Sequence, residues 1–108
     1  MSNKPKIAIV GIGRWGKNLL KELNVKTDVI WACHGGSKES KEFLTENYPN
    51  ISETDNLQDI LDDNSVESVI VATPTDTHFD IGSKILDAGK NLFWKNPLPP
   101  VLTYLKHL

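Results

Sequence analysis

Residues 6–10, KIAIV, carry apolar side chains almost without interruption. A strand buried on both faces reads this way. From Arg14 to about Leu23 the period lengthens. Trp15, Leu19, Leu20 and Leu23 share one side of a helix, and Lys17 and Lys21 lie on the other. VIWAC, 29–33, is the next buried strand, followed by the turn signal HGGS, 34–37. KESKEFLTENY, 38–48, predicts a helix with Phe43 and Leu44 facing inward, broken by Pro49 and Asn50. A weak strand is expected near Ile51, a short helix over 56–63 and a third strong strand over 68–72. TPTDTHFDIGSKILDAG, 73–89, predicts a turn and then a helix with Phe79, Ile81, Ile85 and Leu86 as its buried stripe and Gly89 as C-cap. NLFW, 91–94, is a further strand, and PVLTYLKHL, 100–108, starts a helix with Val101, Leu105 and Leu108 on one face.

Strands alternating with helices imply parallel β-α-β units with right-handed crossovers, an α/β three-layer fold. Into this frame falls GIGRWG, with Gly11, Gly13 and Gly16 in the pattern G-x-G-x-x-G, between a predicted strand and a predicted helix. Gly11 permits the tight turn, Gly13 lets a pyrophosphate approach the backbone, and Gly16 lets the helix pack closely on its strand. The N–H groups at the helix start and the helix dipole favour the phosphate charge. Ile12, Arg14 and Trp15 complete the turn as candidate cofactor contacts. The competing interpretation is a glycine turn that only packs a helix onto a sheet.

Composition narrows the choices. The 108 residues, 39% apolar and 24% charged, are those of one ordinary globular domain. A net charge of −2 argues against nucleic acid as the main partner. No apolar run approaches the roughly 20 residues of a membrane span, and the MSNKPK start does not resemble a signal peptide. A single cysteine, Cys33, forbids an internal disulfide and fits a cytoplasmic location. At the end of a buried strand it reads as an inert small hydrophobe. His34, His78 and His107 have no metal-ligand spacing with it. The acidic run DNLQDILDDNSVE reads as a solvated helix face.

The sequence resembles the N-terminal domain of the Gfo/Idh/MocA oxidoreductase family. The resemblance is carried by IAIVGIGRWGKNLL, by SVIVATPTDTHFDIGSKILDAGKNLF and by NPL at 96–98, and spans about residues 5–98. It implies a Rossmann domain that binds NAD or NADP, with strand order 3-2-1-4-5. It also places Thr73, Pro74, Thr77 and His78, in the loop after the fourth strand, beside the nicotinamide ribose and the diphosphate. Independently of family, a ligand is expected at the carboxyl end of that strand, near the point where strand order reverses. For His78 the bland alternative is a polar group at a helix start.

Three departures from the family pattern stand out. A ribose-binding acid is expected about twenty residues after the glycines, and CHGGSK stands there instead. His34, Ser37 and Lys38 could receive a 2′-phosphate, which tilts the expectation to NADP, while His34 is equally well an exposed turn residue. Second, the family reads glutamate-lysine-proline after the fifth strand, and this chain reads Lys95-Asn96-Pro97. A lysine one position early along an extended segment points to the other face, so no catalytic residue is assigned. The family's turn further suggests a cis Asn96–Pro97 bond. Third, residues 1–108 are expected to form the dinucleotide-binding domain alone, without the family's substrate domain and without catalysis on their own.

Two functions follow: the dinucleotide-binding domain of an oxidoreductase, or a stand-alone module that senses nucleotide or binds a partner chain. A domain of the same topology for coenzyme A or another nucleotide is a third, against which the ATPxxxH stretch weighs. With the chain ending soon after the fifth strand, that strand is expected at a sheet edge. A homo-oligomer or partner chain is then expected to cover it and the helix at 100–108.

Overall fold

The computed structural model describes residues 4–72, 78–94 and 102–103. The elements run β1 (Lys6–Val10), α1 (Arg14–Lys26), β2 (Asp28–Cys33), α2 (Lys38–Asn47), β3 (Ser52–Thr54), α3 (Leu57–Leu61), β4 (Ser68–Val71), α4 (His78–Asp87), β5 (Asn91–Trp94) and β6 (Leu102–Thr103). One sheet forms in the order β3-β2-β1-β4-β5-β6. The first five strands pair in parallel and give the expected order 3-2-1-4-5.

Strand β1 shows why the sheet has two covered faces. Its side chains alternate, as a pleated strand requires. Ile7 and Ile9 join Leu19, Leu20 and Leu44 from α1 and α2 in one core cluster. Ala8 and Val10 join Ile60, Val69 and Ile85 in the other, under α3 and α4. Ile9, Leu20, Leu44, Ile60 and Ile85 are fully buried. Each such side chain contributes about 1.5–3 kcal/mol of transfer free energy. Leu23, Phe43, Ile81 and Leu86 are partly buried against these clusters, as the periodicity predicts. Lys17, expected on the outer face of α1, lies with its Nζ 4.7 Å from the centre of the Phe43 ring. Its long apolar stem allows this position while the charge stays near water. Gly89 ends α4 with a φ of +81°, the left-handed conformation a helix C-cap asks for.

Two expectations change. Leu102 and Thr103 form a strand, not part of a helix, and pair antiparallel with Trp94 and Phe93. The outer backbone groups of β5 need partners, and a returning strand supplies them. The β5 edge expected to be left for a partner chain is thus taken at these two residues by β6. The acidic run is also more than a solvated face. Asp59 accepts the Thr54 hydroxyl at 2.5 Å, and Asp63 accepts the Trp31 indole N–H at 2.8 Å. The Ser65 hydroxyl, then the Trp31 indole, hold the Asp63 carboxyl down at about 2. Asp59 fastens α3 to the end of β3, and Asp63, just past α3, fastens that helix end to β2.

Candidate functional site

The carboxyl ends of β2, β1 and β4 lie side by side, and β1 is where the crossovers change direction. A crevice opens at such a point in a doubly wound sheet. Gly11 leaves β1 with a φ of +104° and donates its N–H to the Cys33 carbonyl at 2.8 Å, which ties the turn to the end of β2. Ile12 turns inward and is buried in the core, and its carbonyl accepts the Ser40 hydroxyl at 3.3 Å.

Gly13 is the N-cap of α1 and has no side-chain cap hydrogen bond. Among the described residues, no atom lies within 4 Å of where a Cβ on Gly13 would stand. The face of the turn where a side chain would stand is open, as a pyrophosphate approaching the main chain requires. The first turn of α1 holds no acidic residue, so nothing there offsets the positive end of its dipole. Gly16 has the opposite surroundings. A Cβ there would lie 2.0 Å from the Gly11 carbonyl oxygen. The two outer glycines are therefore in mutual contact, and the middle one faces out. Arg14 and Trp15 begin α1.

At the end of β2 the structure departs from the expectation that His34 is an exposed turn residue. The residue is not exposed; its side chain is only 5% accessible. Its Nε2 lies 2.6 Å from Glu53 Oε1, and its Nδ1 accepts the Gly36 N–H at 3.0 Å. Accepting at Nδ1 places the ring proton on Nε2, donated to Glu53. Both ring nitrogens thus have a partner within the chain. Ser37 caps α2 by accepting the Ser40 N–H, and Lys38 is the first residue of that helix. Beside them a cleft of about 340 Å³ is lined by His34, Gly36, Lys41, Glu53, Thr54 and Asp55. Glu53 belongs to the three-residue strand β3, whose shortness left no pattern by which the sequence could single it out.

Cys33 is buried, as expected of an inert thiol. Burial, then the charges of Asp55 and Asp59, push it up to about 11. Ala72 donates its N–H to the Val10 carbonyl at 2.7 Å, so the segment leaving β4 starts next to the glycine turn. His78 is the first residue of α4. Thr73, Pro74 and Thr77, like Lys95, Asn96 and the Asn96–Pro97 bond, lie outside the described residues. No helix among the described residues is long and apolar enough to cross a membrane. No group of three or more His, Cys, Asp or Glu among them could hold a metal ion. At the opposite end of the sheet, Lys90 was not singled out by its pattern. Its buried ammonium donates to the Asp63 and Val66 carbonyls at 2.8 and 3.1 Å.

Comparison with known proteins agrees with this geometry. Scyllo-inositol 2-dehydrogenase (NAD(+)) of Bacillus subtilis is 29% identical over 91% of this chain and 29% of its own length. The uncharacterized oxidoreductase YhhX of Escherichia coli is 38% identical over 56% of this chain and 18% of its own. Among solved structures, GenD2 from gentamicin A biosynthesis, in complex with NAD, superimposes with a TM-score of 0.79 at 28% identity, over 91% of this chain and 28% of that one. The chain thus spans less than a third of the length of each. The model of the oxidoreductase family with an NAD-binding Rossmann fold matches residues 5–108. The glycine turn at the switch point and the family match together establish that this chain belongs to the Gfo/Idh/MocA oxidoreductase family, as its NAD-binding Rossmann domain.

Proposed function

We propose that the chain holds a nicotinamide dinucleotide for an oxidoreductase reaction, with the pyrophosphate over the main chain of Gly11, Ile12, Gly13, Arg14, Trp15 and Gly16. The observation that carries this is the open face at Gly13, at the start of a thirteen-residue helix. A Cβ would fill the space that a phosphate needs, and none is there. The N–H groups of the first turn, which a helix leaves without intrahelical partners, and the helix dipole then act on the phosphate oxygens. The family resemblance assigns Thr73, Pro74, Thr77 and His78 to the diphosphate and the nicotinamide ribose, and Ser37 and Lys38 are assigned to the adenosine side. The bound nicotinamide supplies the hydride donor or acceptor. The protein's part is to fix the ring's position and to line one side of the crevice.

In our reading residues 1–108 bind the dinucleotide but do not complete a reaction by themselves. Asn96 stands where the family's lysine is expected, and an amide cannot supply that cation. The same observation favours the second function, a module that reports nucleotide binding to another chain. Titration with NADH and NADPH, followed by energy transfer from tryptophan to the nicotinamide and by calorimetry, tests the proposal. Saturable binding with a one-to-one stoichiometry is expected. No heat and no transfer with either dinucleotide would overturn it. Binding combined with NADH consumption in the presence of small carbonyl compounds would overturn the claim of incompetence alone.

A further inference from the structure

We propose that Glu53, held in place by His34, makes this chain select NAD and exclude NADP. The assignment rests on the dinucleotide site proposed above. It replaces the phosphate-binding role that the sequence suggested for His34.

The adenosine ribose of a dinucleotide lies at the carboxyl end of the second strand, where an acid about twenty residues past the glycines accepts its 2′-hydroxyl. His34 occupies that position and cannot accept there, because its Nδ1 already takes the Gly36 N–H and its Nε2 faces Glu53. What the imidazole does is orient a carboxylate from the neighbouring strand. Glu53 Oε1 is fixed 2.6 Å from Nε2, and Oε2 has no hydrogen-bond partner among the described residues. The Glu53 side chain remains 28% accessible, so it borders the cleft without being sealed in. A ribose hydroxyl can donate to Oε2 and complete the role of the missing acid.

Asp55 lies in the same cleft, with Oδ2 3.8 Å from where a Cβ on Gly36 would stand. Among the described residues Lys41 is the one ammonium lining the cleft, and Lys38 begins the adjoining helix, with Glu39 behind it. A 2′-phosphate would bring nearly two negative charges to a cleft with two carboxylates and one ammonium. Like charges at this separation repel, the more so where solvent is partly excluded.

Calorimetry of the intact chain with NADH and NADPH tests this. NADH is expected to bind at least about tenfold more tightly at low salt. That ratio should narrow as salt is raised, because the exclusion is electrostatic. In Glu53→Gln the amide oxygen still accepts from His34 and the NH₂ can meet a phosphate. The NADPH affinity should rise about tenfold, while the NADH affinity falls because the ribose hydroxyl loses its carboxylate acceptor. Asp55→Asn should move the ratio in the same direction. Equal affinities in the unaltered chain, or tighter NADPH binding, would overturn the assignment and leave the dinucleotide site standing. Absence of binding by both would overturn the site and the assignment together.

Discussion

Replacing Gly16 by alanine separates the structural from the binding role of the glycine turn. The added methyl would sit 2.0 Å from the Gly11 carbonyl oxygen and 2.9 Å from its carbon. Ordinary contacts are about 3.5 Å, so helix and turn must part by more than an ångström. Neither yields freely. Gly11 is tied to Cys33 through its N–H, and α1 is anchored by Leu19 and Leu20, which are 4% and 0% exposed. Overpacking of this kind costs about 1–3 kcal/mol and sometimes more. Alanine returns about 1 kcal/mol of helix propensity. Because the intruded atom is backbone, the upper end applies, and a net loss of about 2 kcal/mol follows. For a domain near 100 residues that is a fall in Tm of roughly 8–16 °C.

Gly13→Ala is the control. Its φ of −85° suits alanine, and no atom of the described residues lies within 4 Å of the new methyl. Its stability cost is about 1 kcal/mol or less, from the poorer N-cap. The methyl nevertheless occupies the pyrophosphate's approach, so NADH affinity should fall at least about tenfold, or 1.4 kcal/mol. Urea unfolding and NADH calorimetry on both variants read the two effects apart. A Gly16→Ala protein as stable as the parent, or a Gly13→Ala protein that binds NADH unchanged, would refute the assignment of these roles.

Two further outcomes are expected. Lys90→Met should lower stability by about 1.5–3 kcal/mol in urea unfolding, since the Asp63 and Val66 carbonyls lose a charged donor. NADH affinity should not move, because Lys90 is at the other end of the sheet, and an unchanged midpoint would show that those bonds are idle. Cys33 should resist a thiol reagent at pH 8 until the chain unfolds. Its raised value of about 11, against 9.0 unperturbed, cuts the thiolate fraction about a hundredfold. The stability linked to this thiol is complete below pH 9 and is lost as the pH rises towards 11. Labelling of the native protein as fast as in urea would contradict that burial.

Much of the fold was legible because β1, β2 and β4 are dense in β-branched apolar residues and glycine or asparagine marks the turns between elements. The glycine turn could be read for a related reason: its demands fall on residues with no side chain, and its place between a strand and a helix separates it from the common bare glycine pattern. What could not be read depended on partners distant in sequence. The His34–Glu53 pair spans 19 residues and the Trp31–Asp63 bond 32, and neither leaves a periodic trace. The strand at Leu102 was hidden for another reason. Val101, Leu105 and Leu108 have helical spacing, yet at Leu102 and Thr103 the edge of β5 outweighs that local preference.

Strand β1 also imposes an order on assembly. It is the first element of the chain, yet it lies between β2 and β4, and its alternate residues belong to two separate cores. Its pairing with β2 closes a short loop, whereas the Lys6–Glu67 contact beside β4 spans 61 residues. The longer closure costs only about 1 kcal/mol more in entropy, but it cannot occur until β4 has left the ribosome. During synthesis the β1-α1-β2-α2-β3 half can therefore form with the phosphate turn in place while Ala8 and Val10 still face water. Those two side chains report the arrival of the second half, and a protease or chaperone would meet the nascent domain on that uncovered face.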